Sequence, residues 1–338
     1  MNPNTDAPAI VHTHVDLLGE KYGGQALSCN DEFFAEASNL VKRQAPVFID
    51  DKYTDRGKWM DGWESRRRRT PGHDWCILRL GLPGRIKVFD VDTTHFRGNA
   101  PARVSIEGYI ASIGPGSTDP DSTAEWQTIL EVTDVSPHSH NYFEINNDGR
   151  WTHLRLNIFP DGGVARLRAY GEPEPDWSAL LSGEVVDLAA CTNGGRAIAC
   201  SDMFFSPMNN LLAPGRGINM GDGWETRRRR TPGNDWLIVR LGTPGQIARL
   251  LIDTCHFKGN YPDTVSLEGT WSSSDDLTAD DVEWVTILEQ TKTQAHTEHT
   301  YQQELQNTGL NFTHVRLNIY PDGGVSRLRV FGYPKLSD

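Results

Sequence analysis

Short runs in which apolar and polar residues alternate recur along this chain, and they come in two sets. DWCILRLG (74–81), RIKVFDVDT (85–93), ARVSIEGYI (102–110), EWQTILEV (125–132) and THLRLNIF (152–159) are rich in Val, Ile and Leu and are bounded by Gly, Pro and Asp. That pattern predicts strands separated by turns. Only FFAEASNLVK (33–42) suggests helix, of one or two turns. The spacing favours a β-sandwich over alternating strands and helices. We therefore expect an all-β protein of two tandem jelly-roll domains.

The second set of runs is a copy of the first. DGWESRRRRTPGHDW (61–75) returns as DGWETRRRRTPGNDW (222–236), DTTHFRGN (92–99) as DTCHFKGN (253–260), and THLRLNIFPDGGVARLR (152–168) as THVRLNIYPDGGVSRLR (313–329). The match begins earlier, with GGQALSCNDEFF (23–34) against GGRAIACSDMFF (194–205), and the copies differ in length between that block and DGWE. The Pro-rich acidic stretch GEPEPDWSAL (171–180) is the natural joint. The expected domains are residues 1–175 and 176–338. Polar residues kept in both copies are the first candidates for chemistry, because packing alone rarely requires a particular Arg, His or Asp.

Composition narrows the function. The chain has 338 residues and a net charge of −12, which argues against nucleic acid as a partner. No apolar run approaches the roughly 20 residues of a membrane span. The start, MNPNTDAPAIVHTHVD, lacks a basic region followed by an apolar stretch, so we expect no signal peptide and a cytoplasmic location. Five cysteines without CxxC spacing read as reduced thiols. Phosphate loops and nucleophile elbows are absent. No organic cofactor is expected. The spacings His12-x-His14-x-Asp16 and His138-x-His140 leave a divalent metal as the weaker alternative.

Three groups of residues carry candidate chemistry. Along THLRLNIF, side chains alternate between faces. Leu154, Leu156 and Ile158 turn inward, while His153, Arg155 and Asn157 share the other face, about 6.6 Å apart. His314, Arg316 and Asn318 repeat that row, a floor suited to a small polar anion or simply a solvated face. In DVDTTHFRGN, Asp92, His95 and Asn99 match Asp253, His256 and Asn260. Asp92 and His95 cooperate only if the chain bends between them. His95 is an ordinary proton-transfer group near neutrality. In WESRRRR, Arg66 and Arg68 face opposite to Arg67 and Arg69, so at most half the guanidiniums enter one site.

Together, DGWE(S/T)RRRRTPG(H/N)DW, DT(T/C)HF(R/K)GN and LNI(F/Y)PDGG resemble the allantoicase family, over essentially the whole chain from about residue 15. The resemblance implies galactose-binding-like jelly rolls and hydrolysis of allantoate to ureidoglycolate and urea. On that basis His95, His153 and Asp92 are the expected acid–base groups. Arg155, Asn157, Asn99, Arg66, Arg68 and His73 are the expected substrate contacts. His73 is Asn234 in the second copy, so one site or two remain open. The competing readings are a non-catalytic carbohydrate- or anion-binding pair and a hydrolase of another ureide. A homo-oligomer is expected.

Overall fold

The computed structural model describes residues 6–111, 120, 123–175, 177, 183–278 and 282–335. Two compact units divide the chain, Met1–Pro175 and Asp176–Asp338. Residues 176 and 178–180 of the joint lie outside the described residues. The all-β reading holds. Each unit carries one eight-stranded set of pairings, and the two sets have the same order.

One strand organises each unit. DWCILRLG and RIKVFDVDT, read above as two strands, are a single strand, Asp74–Asp92. Its first half pairs with Gln25–Cys29 and with Arg150–Phe159. Its second half pairs with Arg166–Pro173 and His140–Glu144. The Gly-Leu-Pro-Gly stretch at 81–84 is where the strand changes partners, not where it ends. The ladder to Arg150–Phe159 breaks between Arg79 and Gly84, and the amides of Gly81 and Leu82 donate to Leu17 instead. Pro83, which has no amide hydrogen, therefore costs no ladder bond. Gly84 is needed because a Cβ there would lie 2.2 Å from the Glu172 carbonyl. Asp235–Asp253 repeats this design. The core is apolar: Leu78, Ile86, Leu154, Leu156 and Ile158 have no exposed surface. Each such side chain contributes about 1.5–3 kcal/mol.

FFAEASNLVK supplies one short 3-10 turn, Ala37–Val41, matched by Met208–Leu212. No helix among the described residues is long and apolar enough to cross a membrane. The PDGG segments are tight turns preceded by cis X–Pro peptides, Phe159–Pro160 and Tyr320–Pro321.

A buried ion pair ties the loops to this frame. Arg166, only 2% exposed, donates from Nη2 to Asp61 Oδ2 at 2.8 Å. It also donates from Nη1 to the Asp61 and Ala165 carbonyls and from Nε to the Gln44 carbonyl. Arg327 and Asp222 repeat the pair at 2.7 Å. Burial raises the Asp61 carboxyl, but the bonds from Arg166 and the Val47 amide outweigh it and hold the group below the ordinary carboxylate range. A depressed folded-state value stabilises the fold above the unfolded carboxylate range, and that contribution disappears as pH falls through the folded value. Removing one member of a buried pair leaves the other uncompensated. Arg166→Ala should therefore cost about 3–5 kcal/mol, read by denaturant melting near neutral pH. A loss below about 1 kcal/mol would contradict the anchoring role.

Candidate active site

At one end of the first unit the long strand stops and the chain turns sharply. Thr93 leaves the strand and His95 adopts a left-handed backbone, φ 73°. His256 does the same at φ 71°. Such strain in a non-glycine residue persists only where surroundings fix it. Here they do. The His95 amide donates to His138 Nδ1 at 2.9 Å, and His95 Nε2 lies 3.1 Å from the Pro46 carbonyl. A carbonyl only accepts, so Nε2 carries the hydrogen and Nδ1 is the basic nitrogen of the neutral ring. Phe48 stacks beside the ring at 5.5 Å.

Next to this turn lies a cavity of about 450 Å³ lined by Phe34, Phe48, Lys58, Glu64, His95 and Asn99. An adjoining cavity of about 630 Å³ shares Phe34, Glu64 and Asn99, and is walled by Arg66, Arg67, Arg69 and the Pro160–Gly162 turn. Asn99 Nδ2 donates to Glu64 Oε1 at 2.7 Å. Burial pushes the Glu64 carboxyl above the ordinary range, and the Asn99 bond only partly opposes it. Lys58 belongs to a small hairpin, Tyr53–Thr54 paired with Gly57–Lys58, which the second copy lacks: the extra length between the GG and DGWE blocks lies in the first copy.

The arginine run divides as alternation requires, into two paired and two unpaired guanidiniums. Arg66 is held by Asp31, Nε to Oδ2 at 2.6 Å, and Arg68 by Asp74 at 2.6 Å. Arg67 and Arg69 line the cavity and have no ion pair or side-chain hydrogen bond among the described residues. Arg66 and Arg68 were the expected substrate contacts; their guanidiniums are engaged by carboxylates, so Arg67 and Arg69 are the cations left to meet an anion. The pattern repeats as Arg227 with Asp202 and Arg229 with Asp235.

The sheet-face row does not join the cavity. Arg155 grips Glu107 with two bonds, 2.6 and 2.8 Å, and stacks on Trp126 at 4.8 Å. Asn157 donates to the same carboxylate at 2.8 Å and to Ser105 at 3.1 Å. Burial alone would raise Glu107, but these donors hold it below the ordinary range. The carboxylate that meets Arg155 and Asn157 is that of Glu107 on the neighbouring strand. His153 is buried, with Nδ1 2.9 Å from Thr152 Oγ1. His73 packs on Phe159 at 4.6 Å, outside the cavity lining. The second copy keeps the network: Arg316 and Asn318 bond Glu268, Arg316 stacks on Trp284, and His314 meets Asp275 at 3.1 Å.

Asp92 is likewise structural in its contacts. The chain does bend before His95, but Asp92 Oδ1 accepts the Thr94 amide at 2.8 Å and Oδ2 lies 4.0 Å from His140 Nε2. Asp253 accepts the Cys255 amide and pairs with Arg216. Of the expected site residues in the first unit, His95, Asn99 and Arg66 line the cleft. Asp92, His153, Arg155, Asn157, Arg68 and His73 do not. Glu64 went unselected, although it recurs as Glu225, bonded to Asn260 at 2.5 Å. Its recurrence beside the arginine run was the signal available.

The metal spacings do not form ligand sets. His14 lies 3.6 Å from Glu172, and Asp16 pairs with Arg168. His138 has a left-handed backbone, which turns it toward His95 while His140 meets Asp90 at 2.8 Å. In the second unit one ligand atom each from Cys255, His256 and His296 lie within 4.8 Å of one another. There His296 Nδ1 already accepts the His256 amide, so the lone pair of a neutral ring is spent.

The fold is a tandem jelly roll, and its first unit carries a polar cleft walled on one side by arginines. A family model of the allantoicase repeat matches residues 15–174 and 186–335, and the chain belongs to the allantoicase family. It is 50% identical over 321 residues to a probable allantoicase of Pseudomonas fluorescens, covering 94% of this chain and 96% of that protein. It is 48% identical over 331 residues to the allantoicase of Dictyostelium discoideum, with 97% and 89% covered. The crystal structure of Saccharomyces cerevisiae allantoicase superposes with a TM-score of 0.77 at 37% identity, covering 94% of this chain and 93% of that one.

Because Arg155 is committed to Glu107, Arg155→Ala should act on stability. Losing a charge-assisted pair that is partly exposed should cost about 1–2 kcal/mol, seen as a lower melting temperature. Unchanged melting with a large rise in KM would return Arg155 to the substrate.

Proposed function

We propose that the cleft of the first unit hydrolyses allantoate to ureidoglycolate and urea. The observation that carries this reading is a pair of adjoining cavities that share Glu64 and Asn99, one walled by the two unpaired guanidiniums of Arg67 and Arg69 and the other by His95. Allantoate bears one carboxylate and two ureido groups on a single carbon. Arginine suits the carboxylate. Asn99 offers an amide to a ureido group, and the Nδ1 of His95 is a base for the attacking water. The second unit keeps the twin residues Asp253, His256, Asn260, His314, Arg316 and Asn318 but lacks the hairpin that brings Lys58 to the cleft. We assign turnover to the first unit and a structural role to those twins.

Two broader expectations belong here. Five free thiols support a reducing, cytoplasmic setting. The exposed Phe204, Phe205 and Ile218 support association into a homo-oligomer.

Purified protein incubated with allantoate should release urea and ureidoglycolate; folded protein that releases neither would overturn the assignment. Arg69→Ala should raise KM about ten- to a hundredfold, the equivalent of one lost charge-assisted contact, with its melting unchanged. His95→Ala should lower kcat by about 10²–10⁴, whereas His256→Ala should keep most turnover. Equal large losses in both histidine variants, each folded, would require two sites.

A further inference from the structure

We propose that Glu64 is the catalytic acid of the first unit, protonating the urea nitrogen as it departs. The proposal rests on the reading of this cleft as the allantoate site. Glu64 belongs to the two-residue strand Trp63–Glu64, clamped between Gly163–Val164 on one side and Ala35 on the other. Its side chain lines both adjoining cavities, the position a group needs to reach a substrate spanning them. Its one hydrogen bond among the described residues comes from Asn99 to Oε1, leaving Oε2 for the substrate.

The cations around it are occupied or set apart. Lys58 pairs with Asp50 at 3.3 Å and lies over Phe48. Arg97 contacts His138 at 3.0 Å, and Arg66 pairs with Asp31. His95 directs its Nε2 hydrogen to Pro46. Arg67 and Arg69 wall the farther cavity. No cation forms an ion pair with Glu64 among the described residues, and burial favours its protonated form. An acid needs just this: a proton retained until the substrate demands it. Glu225 bonds its own asparagine in the same way, but the hairpin that adds Lys58 to the cleft wall is confined to the first copy.

The step balances. The lone pair of one ureido nitrogen forms a C=N bond to the central carbon as the C–N bond to the other ureido group breaks. That departing nitrogen takes the Glu64 proton and leaves as neutral urea. Water then adds to the carbon of the acyliminium as His95 Nδ1 takes its proton, and that proton passes on to the Glu64 carboxylate. Ureidoglycolate leaves and the acid is restored.

Glu64→Gln tests the assignment, because the amide keeps an acceptor for Asn99 and loses only the acid. With allantoate, kcat should fall about 10²–10⁴-fold, while KM stays within a fewfold of the parent and melting is unchanged. In the parent, kcat should decline as pH rises through the raised carboxyl and Glu64 gives up its proton, and Glu64→Gln should lose that decline. Formate added to Glu64→Ala should restore part of the rate, which a merely structural glutamate would not allow. A Glu64→Gln variant with parental kcat and pH profile overturns the proposal. Should neither variant fold, a parental kcat that shows no decline as pH rises overturns it as well. A parent enzyme that releases no urea refutes the substrate reading itself; an active parent with an equally active Glu64→Gln refutes only the acid.

Discussion

The Arg166–Asp61 pair is the constraint from which the first unit's cleft follows. A guanidinium and a carboxylate this deeply buried are tolerable only when hydrogen bonds replace the water they lose. Arg166 uses four of its five N–H groups, reaching the Asp61 carboxylate and the carbonyls of Asp61, Ala165 and Gln44. Asp61 completes the set by accepting the Val47 amide at 3.0 Å. The segment 44–47 is thus fastened at two points, with Pro46 between them. The Pro46 carbonyl is the group that fixes the hydrogen on His95 Nε2. An electrostatic requirement of the core thereby sets the tautomer of an imidazole at the surface. Arg327, Asp222 and the Gly217 carbonyl repeat the chain of cause at His256.

The duplication sets what the scaffold needs beside what chemistry needs. Both copies keep the buried pair, the strained histidine, the glutamate–asparagine bond and the Arg–Glu–Asn network on the sheet. Those features are compatible with stability alone. The copies diverge in the chain between the GG and DGWE blocks. The first carries the hairpin with Lys58, beside Phe48. The second replaces it with a shorter segment in which Ile218 is exposed. Recurrence alone therefore does not separate fold from chemistry: His95, Asn99 and Glu64 all recur, and the hairpin is what sets the first cleft apart.

Local pattern was enough to read the strands, the alternation of faces and the repeat, because each depends on residues near one another in sequence. The face row illustrates the limit. His153, Arg155 and Asn157 do share a face, but Glu107 and Trp126 come from elsewhere in the chain and close over Arg155 before any ligand can. The arginine run shows the same limit. Alternation separates Arg66 and Arg68 from Arg67 and Arg69, yet which pair is free depends on Asp31 and Asp74. Glu64 was overlooked for a related reason: its surroundings, not its type or spacing, make it unusual. The Gly-Leu-Pro-Gly stretch was misread as a break because a change of strand partner removes the usual objection to proline.

An acidic protein that binds an anion faces an electrostatic difficulty, since a net charge of −12 repels what it must capture. The run of arginines resolves it locally. Asp31 and Asp74 neutralise alternate guanidiniums and brace them, which orders the backbone of the run; Asp161 adds a bond to the Arg68 amide at 2.7 Å. The two arginines between and beyond them are then presented, without partners among the described residues, on the segment that follows the short strand Trp63–Glu64. A rigidly held cation gives up less conformational entropy on binding than one on a mobile loop. The paired arginines thus serve the unpaired ones, and four consecutive like charges become a positive wall confined to one side of the cleft.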